Sequence, residues 1–278
     1  MSVEQVSIDP TPPPPEHPEL PAGAGPRWPA WYAGVGFLVA LILTLVVVGI
    51  VAAATGASTT DENPTFTVVA TFLQGVIFIG TAVLFASFAG KPRAEQFGLR
   101  RTPFWPTVGW AALGLTSFYI FAALYTAILQ PDAEQTVAQD LGANQGTLGL
   151  IAAGFMIICV APVTKEFFFR GFFYQTLRSR YSVLVAALID GLLFGAIHWD
   201  FSTADGLLIV PPLAALGFMF CLVYERTGSL YPVIALHALN NAIAFAITVE
   251  EPGVSLVLAP LMLLACAVAP RAQRTAMA

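Results

Sequence analysis

The polar side chains with acid, base or charge-pairing chemistry that lie within apolar stretches of this sequence are concentrated in three segments. They are Lys165, Glu166, Arg170, Asp190, His198, His237 and Asn241. Such groups are costly inside a membrane and usually face a cavity or each other, so each is a candidate functional residue. Peptide hydrolysis needs a base to activate water and donors to hold the oxyanion, and this set contains both.

Helical spacing indicates which of these side chains can cooperate, because residues four apart share a face. The sets with this spacing are Glu166 with Arg170, His237 with Asn241, and Asp190 with Phe194 and His198. At about 1.5 Å of rise per residue, and with some helix tilt, Glu166, His198 and His237 lie at depths that allow them to meet. The spacing therefore predicts one shared site.

A purely structural reading stays open for part of this set. Arg170 and Asp190 are equally consistent with an ion pair that locks helices together, and the histidines with interhelical hydrogen bonds. We therefore treat Lys165, Arg170 and Asp190 as structural or modulating residues. Gly191 and Gly195 form a small-xxx-small step that allows a second helix to approach closely.

The composition places these residues in a membrane protein. The chain is 57% hydrophobic and only 10% charged, far from the balance of a soluble domain. A net charge of −5 without a basic tract argues against nucleic acid as a partner. The three cysteines all lie in apolar segments and predict no disulfide framework.

Charged residues divide the sequence into apolar intervals of at least 19 residues, one of them interrupted by Asp190, and about 20 residues span a bilayer core. The sequence therefore predicts an all-α polytopic membrane bundle of about eight transmembrane helices over residues 31–270, with a motif-bearing core at 146–245. The intervals are Trp28–Thr60, Asn63–Gly90, Thr102–Pro131, Leu141–Thr164, Tyr181–Trp199, Gly206–Tyr224, Thr227–Val249 and Pro252–Pro270.

The arginines and lysines predict the orientation. They follow the even-numbered intervals, whereas the odd-numbered connections carry acidic residues. The positive-inside rule then predicts a multi-pass protein of the cell membrane with both termini in the cytoplasm. Residues 1–30 are rich in proline and acidic side chains and are predicted to form a disordered cytoplasmic tail.

Three ordered motifs resemble those of the CPBP family, the CAAX-protease and bacteriocin-processing (ABI) intramembrane proteases. They are Glu-x-x-x-Arg-Gly from Glu166, preceded by Ala-Pro; Phe194-x-x-x-His198; and Gly-Ser-Leu-Tyr-Pro followed by His237-Ala-Leu-Asn-Asn. The resemblance implies a helical bundle with an active site in a membrane cavity. It also implies cleavage of prenylated proteins or leader peptides, with membrane lipid and a peptide or protein substrate as partners.

The sequence departs from the family pattern at Lys165. The family's first motif is usually Glu-Glu-x-x-x-Arg, and Lys165 replaces its first glutamate, which in glutamate-dependent members is the base for the attacking water. The resemblance then leaves Glu166 as base, with His198 as orienting partner or second base. We expect Lys165 to pair with Asp190, because a lysine in the bilayer interior must snorkel, pair or lose its proton.

The proposed catalytic set is Glu166, His198, His237 and Asn241, with the last two polarising the carbonyl. No cofactor is favoured, although a divalent metal such as zinc bound by Glu166, His198 and His237 is an alternative, with Asn241 as a weak fourth ligand. Two non-enzymatic alternatives also stay open. One is a catalytically silent relative that acts as an immunity factor, chaperone or scaffold, and the other is a transporter.

Overall fold

The computed structural model describes residues 28–56, 63–131, 136–199 and 204–272 of the chain. Each predicted interval contains a helix, and the described residues contain no strand, so the prediction of an all-α polytopic bundle is confirmed. The helices are α1 (Trp31–Thr55), α2 (Pro64–Phe88), α3 (Phe104–Leu129), α4 (Gly146–Arg178), α5 (Val183–Ala196), α6 (Val210–Thr227), α7 (Leu230–Val249) and α8 (Pro252–Ala272). Short helical turns cover Ala94–Phe97, Val137–Asp140 and Ala204–Ile209.

Seven of these helices are long and apolar enough to cross a membrane, and α5 is the exception. Its 14 residues extend about 21 Å, less than the roughly 30 Å of a hydrocarbon core. The sequence predicts an interval of full length here because apolar residues continue beyond the helix. Backbone turns at Ile197 and His198 end the helix before the apolar interval ends.

Helix α4 continues well beyond Thr164, where its predicted interval ends. Lys165, Glu166 and Arg170 do not end the helix, because they lie on its inner side rather than at a membrane surface. Two stretches of α4, Met156–Val160 and Phe169–Tyr174, are π-helical. Such widened turns are common at functional sites, and here they flank Lys165 and Glu166 on both sides.

Helix α5 packs directly against α6 through Gly191 and Gly195. A methyl group added to Gly191 would lie 2.7 Å from the carbonyl oxygen of Ala214, and one added to Gly195 would lie 2.7 Å from that of Val210. Only glycine permits this backbone approach, which is the contact that the small-xxx-small spacing predicts. It fixes Asp190 on α5 and His198, in the turn that follows α5, against the bundle interior.

The core between α1, α2 and α4 is mainly aromatic, with Phe78, Phe168 and Phe172 buried in it. Trp28, the first described residue, is only 2% exposed and its ring stacks near Phe97 and Phe172. Residues 28–30, the last three of the predicted tail, thus lie within the described structure, and Trp28 is packed against the bundle. The rest of that tail lies outside the described residues.

Candidate active site

Glu166 is the centre of the polar cluster and is fully buried. Its Oε1 atom lies 2.6 Å from His237 Nδ1 and 3.0 Å from Arg170 Nη1. A carboxylate can only accept here, so His237 Nδ1 carries the proton and donates it. The remaining ring nitrogen, Nε2, is then free to act as a base.

Arg170 is also fully buried and joins two carboxylates. Its Nη2 atom lies 3.1 Å from Asp190 Oδ1 and donates to the carbonyl oxygen of Gly217 at 2.6 Å. Its guanidinium carbon lies 4.7 Å from the ring centroid of Phe194. Arg170 therefore connects α4, α5 and α6, and its single positive charge is shared between Glu166 and Asp190.

Lys165 is not paired with Asp190, and the predicted ion pair between them is wrong. Lys165 Nζ lies 2.8 Å from His198 Nε2, while Asp190 is taken by Arg170 and by the Cys221 thiol. The physical reason is rotational. Residues 165 and 166 lie about 100° apart around α4, so the side that faces Asp190 carries Arg170, and Lys165 points elsewhere.

The hydrogen bonds of His198 define its tautomer. His198 Nδ1 lies 2.7 Å from the carbonyl oxygen of Phe194, which can only accept, so Nδ1 carries a proton. Nε2 of the neutral ring is then an acceptor, and Lys165 Nζ donates to it. A neutral imidazole does not cancel the charge of an ammonium group, and among the described residues no carboxylate forms an ion pair with Lys165.

Asn241 compensates for a proline in α4. The Ala161 N–H bonds to the carbonyl oxygen of Met156 in the π-helical stretch, and Pro162 has no N–H. The carbonyl oxygen of Ile157 therefore accepts from Asn241 Nδ2 at 2.8 Å. This contact holds α7 against α4 and uses one of the two amide hydrogens of Asn241.

A cavity of about 370 Å³ lies between α3, α4, α5, α6 and α7. Apolar side chains form most of its wall. Its polar lining consists of Tyr119, Lys165, His198, His237, Asn240, Asn241 and Thr248. Glu166 does not line the cavity but contacts it through His237. The structure thus brings the predicted residues together, with Glu166 behind the wall.

Two polar residues of this cavity were not predicted from the sequence, namely Thr248 on α7 and Tyr119 on α3. The Tyr119 hydroxyl donates to Asn240 Oδ1 at 3.2 Å. Asn240 and Asn241 both line the cavity, although their side chains point in different directions. The only sequence feature that could have indicated Tyr119 is its phenol group within an otherwise apolar interval. It carries little weight in a sequence, because tyrosine is common at membrane interfaces.

The arrangement does not fit the alternative zinc set of Glu166, His198 and His237. The ammonium group of Lys165 donates to the one ring nitrogen of His198 that could bind a metal, and His237 Nδ1 is bonded to Glu166. Among the described residues, no group of three or more His, Cys, Asp or Glu side chains is placed to hold a metal ion.

Fold and site together define a polytopic α-helical membrane protein. Its helical bundle contains a cavity with a cluster of polar side chains on an otherwise apolar wall. Residues 147–243 match the family model described as type II CAAX prenyl endopeptidase, Rce1-like. This match contains every residue of the cluster from Lys165 to Asn241. The resemblance to the CAAX-protease family is thereby confirmed for the segment that carries the site.

One curated relative is the uncharacterized protein YyaK of Bacillus subtilis (strain 168). It is 26% identical over 153 residues, which cover 54% of this chain and 50% of YyaK. The chain thus matches about half the length of this relative. No solved structure matches the chain.

Proposed function

We propose that this protein is an intramembrane endopeptidase of the CAAX-protease type that hydrolyses peptide bonds of membrane-associated substrates, such as prenylated proteins or leader peptides. The observation that carries the proposal is the 2.6 Å hydrogen bond between Glu166 and His237, with His237 lining the cavity. A carboxylate that orients an imidazole and stabilises its protonated form is a recurring device for activating a nucleophile.

In the proposed reaction, His237 Nε2 takes a proton from a water molecule as the water oxygen attacks the scissile carbonyl carbon. Glu166 is a positioning residue in this scheme, because it holds the ring and stabilises the imidazolium. The protonated ring then gives its proton to the amide nitrogen as the carbon–nitrogen bond breaks. This scheme moves the base from Glu166 to His237, since Glu166 has no access to the cavity except through that ring.

The oxyanion formed in the attack needs donors on the cavity wall. Lys165 Nζ is the strongest candidate, because it forms no ion pair with a carboxylate of the described residues and His198 holds it in place. The second amide hydrogen of Asn241 is another donor on the same wall. Charged donors in a cavity of low dielectric contribute most of the rate in many acyl-transfer enzymes.

A peptidase assay with the purified protein in liposomes tests this proposal. The substrates are fluorogenic prenylated C-terminal peptides and leader peptides, and the variants are Glu166→Gln, His237→Gln and, as matched control, Glu95→Gln on an exposed turn. Gln at position 166 still accepts from His237 but lacks the charge, so kcat should fall by about 10²- to 10⁴-fold with KM little changed. Full activity of Glu166→Gln would overturn the assignment.

A catalytically silent relative is the second candidate. The contact that favours it is the Lys165–His198 hydrogen bond, which occupies the acceptor nitrogen of His198 and places a lysine where related proteases have their base. On this alternative the cavity binds a peptide segment without cutting it. The protein would then act as an immunity factor, chaperone or scaffold, and the wild type would show no turnover.

A further inference from the structure

A second cavity, of about 670 Å³, opens where α3 begins and α4 and α6 end. Three arginines line it, namely Arg100, Arg178 and Arg226, together with a single carboxylate, Glu225. It shares no lining residue with the cavity that contains His237. Its chemistry therefore requires a separate explanation.

The single carboxylate of this cavity is already satisfied within the protein. Glu225 accepts from Arg178 at 3.0 and 3.2 Å and from the Tyr174 hydroxyl at 2.9 Å. Arg100 donates to the carbonyl oxygen of Gly228, and Arg226 stacks over the ring of Trp110 at 4.6 Å. Within the described part of the chain neither of these two arginines has a carboxylate partner, so the cavity carries excess positive charge.

Tyr224 also lines this cavity, and its hydroxyl is buried beside Gly98. Tyr224 is 4% exposed, and its Oη atom makes no hydrogen bond to any residue that the structure describes. Leaving a buried polar group unpaired costs about 1–3 kcal/mol, so such a group usually has a partner when the protein is in its working environment. A phenol that lies near Arg100 is suited to donate to an anion that the arginines attract.

The level of the cavity relative to the bilayer surface indicates the source of that anion. The first turn of α3 exposes Phe104 and Trp105, at 61% and 78%, beside the cavity-lining Pro103 and Thr107. Exposed aromatic side chains at a helix end are typical of the interface between bilayer and water. A cavity at that level opens to lipid headgroups.

We propose that this cavity is a binding site for the phosphate group of an anionic phospholipid. Arg100 and Arg226 supply the charge, and the Tyr224 hydroxyl supplies a hydrogen bond. The amino-terminal end of α3, whose Thr107 lines the cavity, adds the positive end of a helix dipole. Basic pockets between transmembrane helices are known places for headgroup binding.

The proposal is tested by titrating the purified full chain in detergent with phosphatidylglycerol, phosphatidylcholine or inorganic phosphate and following its apparent Tm. We expect saturable stabilisation by phosphatidylglycerol only. Arg226→Gln should raise the apparent Kd by about fivefold, the worth of one basic residue at a membrane surface. Arg180→Gln is the matched control, because Arg180 is exposed and does not line the cavity.

Tyr224→Phe separates a binding role from a structural one. It removes only an oxygen atom that has no hydrogen-bond partner in the described part of the chain, so the lipid-free protein should be at least as stable as the wild type. Its apparent Kd for phosphatidylglycerol should nevertheless rise about tenfold, since a hydrogen bond to a charged group is lost. Unchanged affinity in both Tyr224→Phe and Arg226→Gln would overturn the proposal. So would equal weakening by Arg180→Gln, or equal stabilisation by inorganic phosphate.

Discussion

Lys165 determines the electrostatics of the cavity between α3 and α7. Its ammonium group donates to neutral His198, while Glu166 and Asp190 are both bound to Arg170. The positive charge of Lys165 is therefore exposed to whatever enters the cavity. This arrangement suits the stabilisation of an oxyanion and does not lock the helices together as an ion pair would.

Lys165→Met tests this role of the lysine. The substitution keeps the length of the side chain and removes its charge, so we expect kcat to fall by about 10²- to 10³-fold. The apparent Tm should not fall, because the variant loses a half-buried charge that has no ion-pair partner within the ranges the structure describes. Lys91→Met, on an exposed segment, is the control. A large drop in stability with kcat unchanged would show that Lys165 is structural.

Arg170 has the opposite role, because its removal leaves two buried carboxylates without a counterion. Breaking a buried pair in this way typically costs about 3–5 kcal/mol, so Arg170→Met should strongly lower the apparent Tm. Adding Asp190→Asn to that variant should restore part of the loss, since one carboxylate is neutralised. Exposed Arg180→Met should leave the Tm unchanged, and an equal effect of Arg170→Met and Arg180→Met would contradict this account.

Sequence spacing predicts contacts between side chains of one helix, but it does not predict contacts between side chains of different helices. The four-residue step predicts the contact between Glu166 and Arg170, and the structure contains it at 3.0 Å. The partner of Lys165 depends on the rotation and depth of α5, which no local pattern encodes. The predicted pairing with Asp190 was wrong for that reason, and the roles of His237 and Asn241 stay predictions.

At the scale of helices, the contact between α5 and α6 positions both Asp190 and His198. Gly191→Ala and Gly195→Ala place a methyl group against the backbone of α6, so each should lower stability by about 1–3 kcal/mol. Gly80→Ala in α2 is the matched control, because a methyl group there meets no atom within 4 Å and alanine favours the helix. Thermal unfolding in detergent measures both effects, and equal Tm values would contradict the packing described here.

Helix positions followed from the sequence more closely than helix lengths did. Charges mark the ends of helices only when they lie at a membrane surface. The inward-facing Lys165, Glu166 and Arg170 lie within α4 instead, and α4 continues to Arg178. The π-helical stretches of α4 depend on Pro162 and on tertiary contacts such as that of Asn241, so hydropathy could not predict them.

At the scale of the whole molecule, the orientation in the membrane is a prediction of the sequence. The positive-inside rule places both termini in the cytoplasm. Reporter fusions after Arg101, Arg180 and Arg226 should therefore report the cytoplasm, and fusions near Asp132 and Glu250 the opposite side. The fusion after Arg180 is the most informative, because it precedes the short helix α5. An exported signal at that position would overturn the orientation.

The measurement that tests the central claim most directly is the turnover of wild type beside that of Lys165→Glu, on the same fluorogenic prenylated and leader peptides in liposomes. Lys165→Glu restores the usual motif of the family and reverses the charge next to His198. If Lys165 is part of a working site, the wild type cuts the peptide, and Glu166→Gln abolishes that cleavage. Absence of turnover in the wild type together with its appearance in Lys165→Glu would contradict the account and identify the protein as a silent relative.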